Sequence, residues 1–104
     1  MGKSRVIKII GGIIAGMVAH KILEEHTNRE ESLNHLRAEV ENYRINLSEF
    51  VNEFNWNEGD KQEIKKEASK DIILEFKKPH FKDVKFPKEK SEKLIEEIIK
   101  EILG

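Results

Sequence analysis

The chain has 104 residues, with 38% charged and 38% hydrophobic residues, and its formal net charge is −1. This length accommodates one domain at most. The absence of cysteine excludes a disulfide framework and a thiolate metal site. The charge is uneven along the chain, with a basic N-terminal end, an acidic middle and a mixed tail, which suits docking within the chain or between copies.

The N-terminal zone, residues 1–23, contains the one long apolar run, at residues 9–19. At ~1.5 Å of rise per residue this run is shorter than a bilayer core of ~30 Å. The wider window 6–23 approaches the ~20 residues that a span needs. Its charges lie near its ends, where basic side chains can reach the headgroups. We therefore expect a membrane anchor, and the basic flank before the run predicts a cytoplasmic N-terminus.

Small residues inside the run favour the same interpretation. Gly12 and Gly16 form a small-xxx-small pair, which lets transmembrane helices approach closely, and Gly11 with Ala15 forms a second pair. Two alternatives remain open. The run can be a buried core helix that needs glycine for close packing, or a cleaved signal peptide.

The central zone, residues 24–60, carries a heptad pattern. Apolar residues alternate at spacings of three and four over about three repeats, which predicts a helix with one packing seam. The seam consists of Leu33, Leu36, Val40, Tyr43, Leu47, Phe50 and Phe54. We expect this seam to pair two copies of the chain, with a dimer favoured. The alternative is a helix that packs mainly on its own C-terminal tail.

Helix-start signals bracket this zone. Thr27 followed by Glu30 fits a capping box for the central helix. Residues 55–60 are predicted to form a turn, and Asp60 followed by Glu63 signals the next helix start.

The C-terminal zone, residues 61–104, is predicted to be a helical pair joined by a short proline-bounded loop. The first helix runs to about Lys78, because Pro79 disfavours helical geometry in the preceding residue. A strand at residues 71–76 is the alternative there. After Pro87, apolar residues recur at the spacing of an amphipathic helix. The three zones together predict an all-α fold.

A basic and aromatic connector lies between these two helices. It offers a possible surface for an anionic partner, made of Lys77, Lys78, Lys82 and Lys85. Lysines interleaved with aromatic rings can bind nucleic acid or an anionic lipid surface. We favour the plainer alternative, in which the lysines face solvent or the acidic helix and phenylalanines such as Phe81 fill the core. Nucleic acid is therefore not the expected partner.

Catalytic and metal-binding motifs are missing from the sequence. Neither Glu-x-x-His nor His-Glu-x-x-His occurs, and no serine lies in a Gly-x-Ser-x-Gly turn. We expect no catalytic residue, no metal and no cofactor. The expected function is a non-enzymatic, membrane-tethered helical assembly module that self-associates and binds an unknown protein partner at the bilayer. The alternative is a soluble, cytoplasmic helical-bundle adaptor whose apolar N-terminus is buried in its own core or a partner's, with nucleic acid as one candidate partner.

Overall fold

The computed structural model is all-helical, as predicted. It describes residues 2–26, 30–81 and 84–104, without the side chains of residues 30–32 and 80. The described residues form four α-helices and no strand: α1 (Lys3–Glu25), α2 (Glu30–Val51), α3 (Glu58–Glu75) and α4 (Lys88–Leu103). A 3-10 turn, Pro79–Phe81, lies between α3 and α4. Because α3 covers residues 71–75, the strand alternative for residues 71–76 is wrong.

The N-terminal helix α1 is the central element of the bundle. It packs on α3 and α2 over most of its length and also touches α4. A helix that is apolar all round needs cover from its neighbours, and more than half of the apolar window of α1 is buried, although Arg5 and Lys8 are exposed. Its largest core side chains are at most 1% exposed: Val6, Ile10, Ile14, Met17, Val18 and Ile22.

Close helix packing depends on two glycines of α1. A Cβ atom added at Gly11 would lie 2.6 Å from Cβ of Glu67 and 3.1 Å from the backbone nitrogen of Ala68. At Gly16 it would lie 2.9 Å from Cζ of Tyr43. Gly12 is different, because its added Cβ would meet only a side-chain oxygen of Asp71, at an ordinary 3.5 Å. The backbone of α3 and the tyrosine ring of α2 therefore occupy the space that side chains would need.

Helix starts differ in detail from the sequence prediction. Helix α3 begins at Glu58 with Asn57 as its N-cap, and the Asn57 side chain and Asp60 form a reciprocal capping box. The predicted start signal at Asp60 and Glu63 is therefore one turn too late, and the predicted turn at 55–60 includes the first turn of α3. Helix α2 begins at Glu30, and the capping role predicted for Thr27 lies outside the described residues.

The ends of the C-terminal helices also shift. Helix α3 ends at Glu75 rather than near Lys78. Pro87 occupies the N-cap position of α4, just before the helix. Because α3 already ends at Glu75, the connector begins before Pro79, whereas Pro87 is its last residue.

Ion pairs join the helices across the surface. Lys3 of α1 lies 2.5 Å from Asp60 of α3, and its ammonium is 5.4 Å from the centre of the Trp56 ring. The other pairs between helices are Arg37–Glu24 (2.8 Å), Arg44–Glu101 (2.5 Å), Lys65–Glu96 and Lys90–Glu25. Exposed pairs of this kind contribute only about 0–1 kcal/mol each. These ion pairs are therefore compatible with the helix arrangement, but burial of apolar side chains is what stabilises it.

We predict opposite effects of alanine at two adjacent glycines. Gly11→Ala should lower the free energy of unfolding by about 1–3 kcal/mol, because the methyl group meets the α3 backbone. Gly12→Ala has room for its methyl group and should raise stability by up to about 1 kcal/mol through helix propensity. Denaturant unfolding of both variants measures the difference. Equal effects at the two positions would contradict the packing described for α1 and α3.

Candidate functional site

The predicted self-association seam of α2 lies inside the domain. Leu36, Val40 and Leu47 are buried, and the remaining seam residues are half-buried. Helix α2 packs chiefly on α1 and only slightly on α4. The alternative of packing mainly on the C-terminal tail is therefore wrong, since α1 covers the seam. Pairing of two copies through this seam would require α2 to leave α1.

The predicted membrane-packing pair is used within the chain. Gly16 is buried and receives the ring of Tyr43 from α2, whereas Gly12 is half-buried beside Asp71 of α3. Both glycines thus face neighbouring helices of the same bundle. One small-residue pattern serves helix packing in a soluble core as it would serve helix packing in a bilayer.

The basic connector separates into exposed lysines and a buried aromatic cluster. Lys77 and Lys85 are exposed, Lys82 lies outside the described residues, and Lys78 is 2.9 Å from Oε1 of Glu75. The hydrogen bond that Lys78 donates to this carboxylate raises the pKa of Lys78. The lysines present positive charge at the surface, but one of them is already paired.

Aromatic rings of the connector pack on one another. Phe76 has ring-centre distances of 4.8 Å to Phe81 and 5.2 Å to Phe86, and Phe81 is 1% exposed. The prediction that Phe81 fills the core is confirmed. Its ring is not accessible for stacking on a nucleic-acid base, which removes the main argument for nucleic-acid binding at this connector.

A polar cluster lies beside α1 and was not predicted from the sequence. It contains His20 of α1, Tyr43 of α2, and Asp71 and Glu75 of α3. The Nδ1 atom of His20 is 2.8 Å from the carbonyl oxygen of Gly16, so Nδ1 carries the donated proton. The His20 ring centre lies 5.4 Å from that of Tyr43. The only signal in the sequence is the spacing of four that places Gly12, Gly16 and His20 on one side of α1.

Burial and negative charge shape the electrostatics of this cluster. Burial, then the carboxylates of Glu75 and Glu39, raise the pKa of Tyr43. Burial, then the negative charge of Glu67, raise the pKa of Asp71. The Oε2 atom of Glu75 is buried without a hydrogen-bond partner among the described residues. Within those residues, no group of three His, Cys, Asp or Glu side chains could hold a metal ion.

A groove between α3 and α4 is the second candidate site. We call it the α3–α4 groove, and its volume is about 280 Å³. It is lined by Ser69, Ile72, Ile73, Phe86, Lys88, Ser91, Glu92 and Ile95. Ser91 is buried, and its hydroxyl has no hydrogen-bond partner among the described residues. No signal in the sequence identified this groove, because its lining comes from two helices and the connector.

Large apolar side chains are scarce on the described surface. Those that are exposed are Ile45 of α2 and Ile73 and Leu74 of α3. Ile73 also lines the α3–α4 groove. Isolated apolar residues are normal on soluble proteins, whereas a stable dimer interface needs a contiguous patch. The described surface therefore concentrates its apolar exposure on α3, beside the groove.

Helix α1 also meets the length and hydropathy criteria for a membrane span. It has 23 residues, and its most apolar window has a mean hydropathy of 1.8, with more than half of that window buried. A core helix of a soluble protein and a signal sequence meet the same criteria. Comparisons with protein families, curated proteins and solved structures find no match for the chain. The function of the chain must therefore be argued from the packing of its helices and from the polar cluster, the connector and the groove.

We predict that Phe81→Ala destabilises the protein strongly. Loss of a buried phenylalanine should lower the free energy of unfolding by about 3–5 kcal/mol. Lys77→Ala, at an exposed position of the same connector, should change it by less than about 0.5 kcal/mol. Thermal unfolding compares the two. A stable Phe81→Ala protein would mean that this ring is not part of the core.

Two carboxylates of α3 should respond to pH with opposite signs. The pKa of Asp71 is raised by burial, so its ionisation opposes folding, and Asp71→Asn should increase stability at pH 7. This gain should vanish below about pH 4, where Asp71 is protonated in both states. The pKa of Asp60 is lowered by hydrogen bonds from Lys3 and from the backbone of Asn57. Its stabilisation is present above the ordinary pKa, so Asp60→Asn should decrease stability at pH 7.

Urea unfolding of both variants and the unaltered chain between pH 3 and pH 7 measures these differences. If Asp71→Asn loses stability at pH 7, the carboxylate is stabilised by its surroundings rather than disfavoured by burial. If Asp60→Asn is neutral at every pH, the pair with Lys3 contributes nothing in solution.

Proposed function

We propose that the chain is a soluble, non-enzymatic helical-bundle adaptor in which α1 is the domain's own core helix. The observation that supports this most is the burial of α1 against three other helices. This choice reverses the order of the two functions expected from the sequence. The membrane-tethered module remains the second candidate, supported by the length and hydropathy of α1.

Insertion of α1 into a bilayer would expose apolar side chains of the helices that it leaves behind. A bilayer could replace the apolar surroundings of α1 itself, but it could not cover Leu47 of α2 or Ile64 and Ile72 of α3, which are at most 1% exposed in the bundle. Each large apolar side chain returned to water costs about 1.5–3 kcal/mol. The remaining three helices would form a thin core. Insertion of α1 is therefore opposed by exposure of the other helices.

The basic N-terminal flank supports the same conclusion. Lys3 donates a hydrogen bond to the carbonyl oxygen of Asn55 at 2.9 Å and pairs with Asp60. A lysine that orients a membrane helix is expected at the headgroup level. In the bundle, Lys3 instead attaches the start of α1 to the turn before α3.

The two candidate functions differ in whether the α2 seam is free to pair two copies of the chain. The seam of α2 is covered by α1 in the bundle. Release of α1 into a bilayer would uncover Leu36, Val40 and Leu47, so tethering and pairing through the seam belong together. In the soluble adaptor, the seam stays covered and contact with an anionic protein partner falls to the surface around the exposed Lys77 and Lys85.

The soluble adaptor should be obtainable without detergent. The expected result for the full chain is a monodisperse, helical monomer near 12.2 kDa by light scattering, extracted from cells by alkaline carbonate. Retention in carbonate-washed membranes, with detergent needed for extraction, would overturn the proposal in favour of the membrane-tethered module.

A matched pair of variants on α2 tests the covered seam. Leu36→Asp places a charge at a buried position and should unfold or strongly destabilise the monomer, whereas Ser48→Asp at an exposed position should not. Circular dichroism and sedimentation of both variants measure helicity and mass. A helical Leu36→Asp monomer arising from a dimeric unaltered chain would instead support pairing through the seam.

A further inference from the structure

The α3–α4 groove has the size and walls of a small-molecule site. Its sides are formed by Ile72 and Ile73 of α3, Ile95 of α4, and Phe86 of the connector. Its volume of about 280 Å³ is near the lower end of known ligand sites, which hold ~300–1,000 Å³. Ile73 is 47% exposed, so the groove opens to solvent along α3. This volume suits one slender apolar molecule rather than a partner helix.

Ser91 supplies a polar group in these apolar surroundings. The residue is 1% exposed, and its Oγ atom is buried without a hydrogen-bond partner among the described residues. A buried hydroxyl is disfavoured when it makes no hydrogen bond. A ligand with a polar head next to its apolar chain would supply the partner that the described protein groups do not.

The start of α4 indicates the charge of that head. Pro87 is the N-cap and provides no side-chain hydrogen bond to the first turn, so the first N–H groups of α4 have no cap from the residue that normally supplies it. Unpaired N–H groups and the helix dipole together favour an anion at this end. Lys88, the first residue of α4, lines the groove and adds a positive charge. Glu92, one turn further along the lining, opposes an anion, whereas Glu89 of the first turn does not line the groove, which places the head at the Lys88 end.

We propose that the α3–α4 groove binds a medium-chain aliphatic carboxylate. The carboxylate lies at the first turn of α4, near Lys88 and within reach of Ser91, and the hydrocarbon chain lies along Ile73 and Phe86. This inference goes beyond the adaptor function, since it assigns a ligand to a groove that partner binding does not use.

Calorimetric titration of the full chain with decanoate, below its micelle concentration, tests the proposal. The expected result is saturable binding of one decanoate per chain, with decanol at least about tenfold weaker because it lacks the charge-assisted hydrogen bonds. Absence of decanoate binding would overturn the proposal. Equal binding of decanol would overturn the assignment of a carboxylate head.

Two pairs of variants locate the site. Ile73→Asp should weaken decanoate binding about tenfold or more, whereas Ile45→Asp, at an equally exposed isoleucine of α2, should leave it unchanged. Lys88→Gln should weaken binding and Glu92→Gln should strengthen it, because the two charges line the same groove with opposite signs. Each variant is first checked for cooperative thermal unfolding. Equal loss in the two aspartate variants, or the same sign in the two glutamine variants, would place any binding outside the groove.

Discussion

The structure depends on the burial of one apolar helix by three more polar ones. Helix α1 is apolar on every side, so it can be stable in water only when it is covered all round. Helices α2, α3 and α4 each contribute buried apolar residues and expose most of their charged side chains, although Asp71 and Glu75 of α3 are partly buried. Helices α3 and α4 also pack on each other and α2 makes only slight contact with α4, so α1 is the one helix that packs on all three. The bundle therefore has one core, and α1 is its shared component.

Close approach at α1 explains both its glycines and the polar groups beside it. At Gly11 the backbone of α3 comes near enough that even a methyl group would collide with it. At Gly16 the ring of Tyr43 lies against bare backbone, and the same side of α1 carries His20. The carboxylates of Asp71 and Glu75, both in α3, belong to the same polar cluster beside α1. Burial of Asp71 raises the pKa of its carboxyl, and burial of Tyr43, with the negative charge of Glu75, raises the pKa of its hydroxyl. One oxygen of Glu75 is buried without a hydrogen bond among the described residues.

Membrane and soluble interpretations of the chain share one physical origin. A bilayer and a protein core are both apolar surroundings, and small residues allow close helix contacts in either of them. The arrangement of α2, α3 and α4 around α1 favours the protein core, because these helices lose their own burial if α1 departs. The same arrangement removes the α2 seam from the surface and leaves the α3–α4 groove as the apolar concavity beside exposed Ile73.

The all-α class, a helix end before Pro79, the strongly amphipathic α4 and the core role of Phe81 could all be predicted from the sequence. These features follow from local rules, namely periodicity, proline geometry and the small number of aromatic residues available for a core. Local rules also placed the start of α3 within one turn, although the cap is Asn57 rather than Asp60.

The partner of each apolar face could be identified only from the tertiary structure. A heptad seam specifies that α2 has one packing face, but a second copy, the C-terminal tail and α1 all satisfy the same spacing. Likewise, Gly12 and Gly16 specify a close contact without its partner, and the structure assigns Tyr43 to one and Asp71 to the other. The polar cluster and the α3–α4 groove combine residues that are far apart in the chain, so no spacing rule could bring them together. The pattern of apolar residues along the chain predicts which residues are buried. Which helix buries them depends on how all four helices pack together.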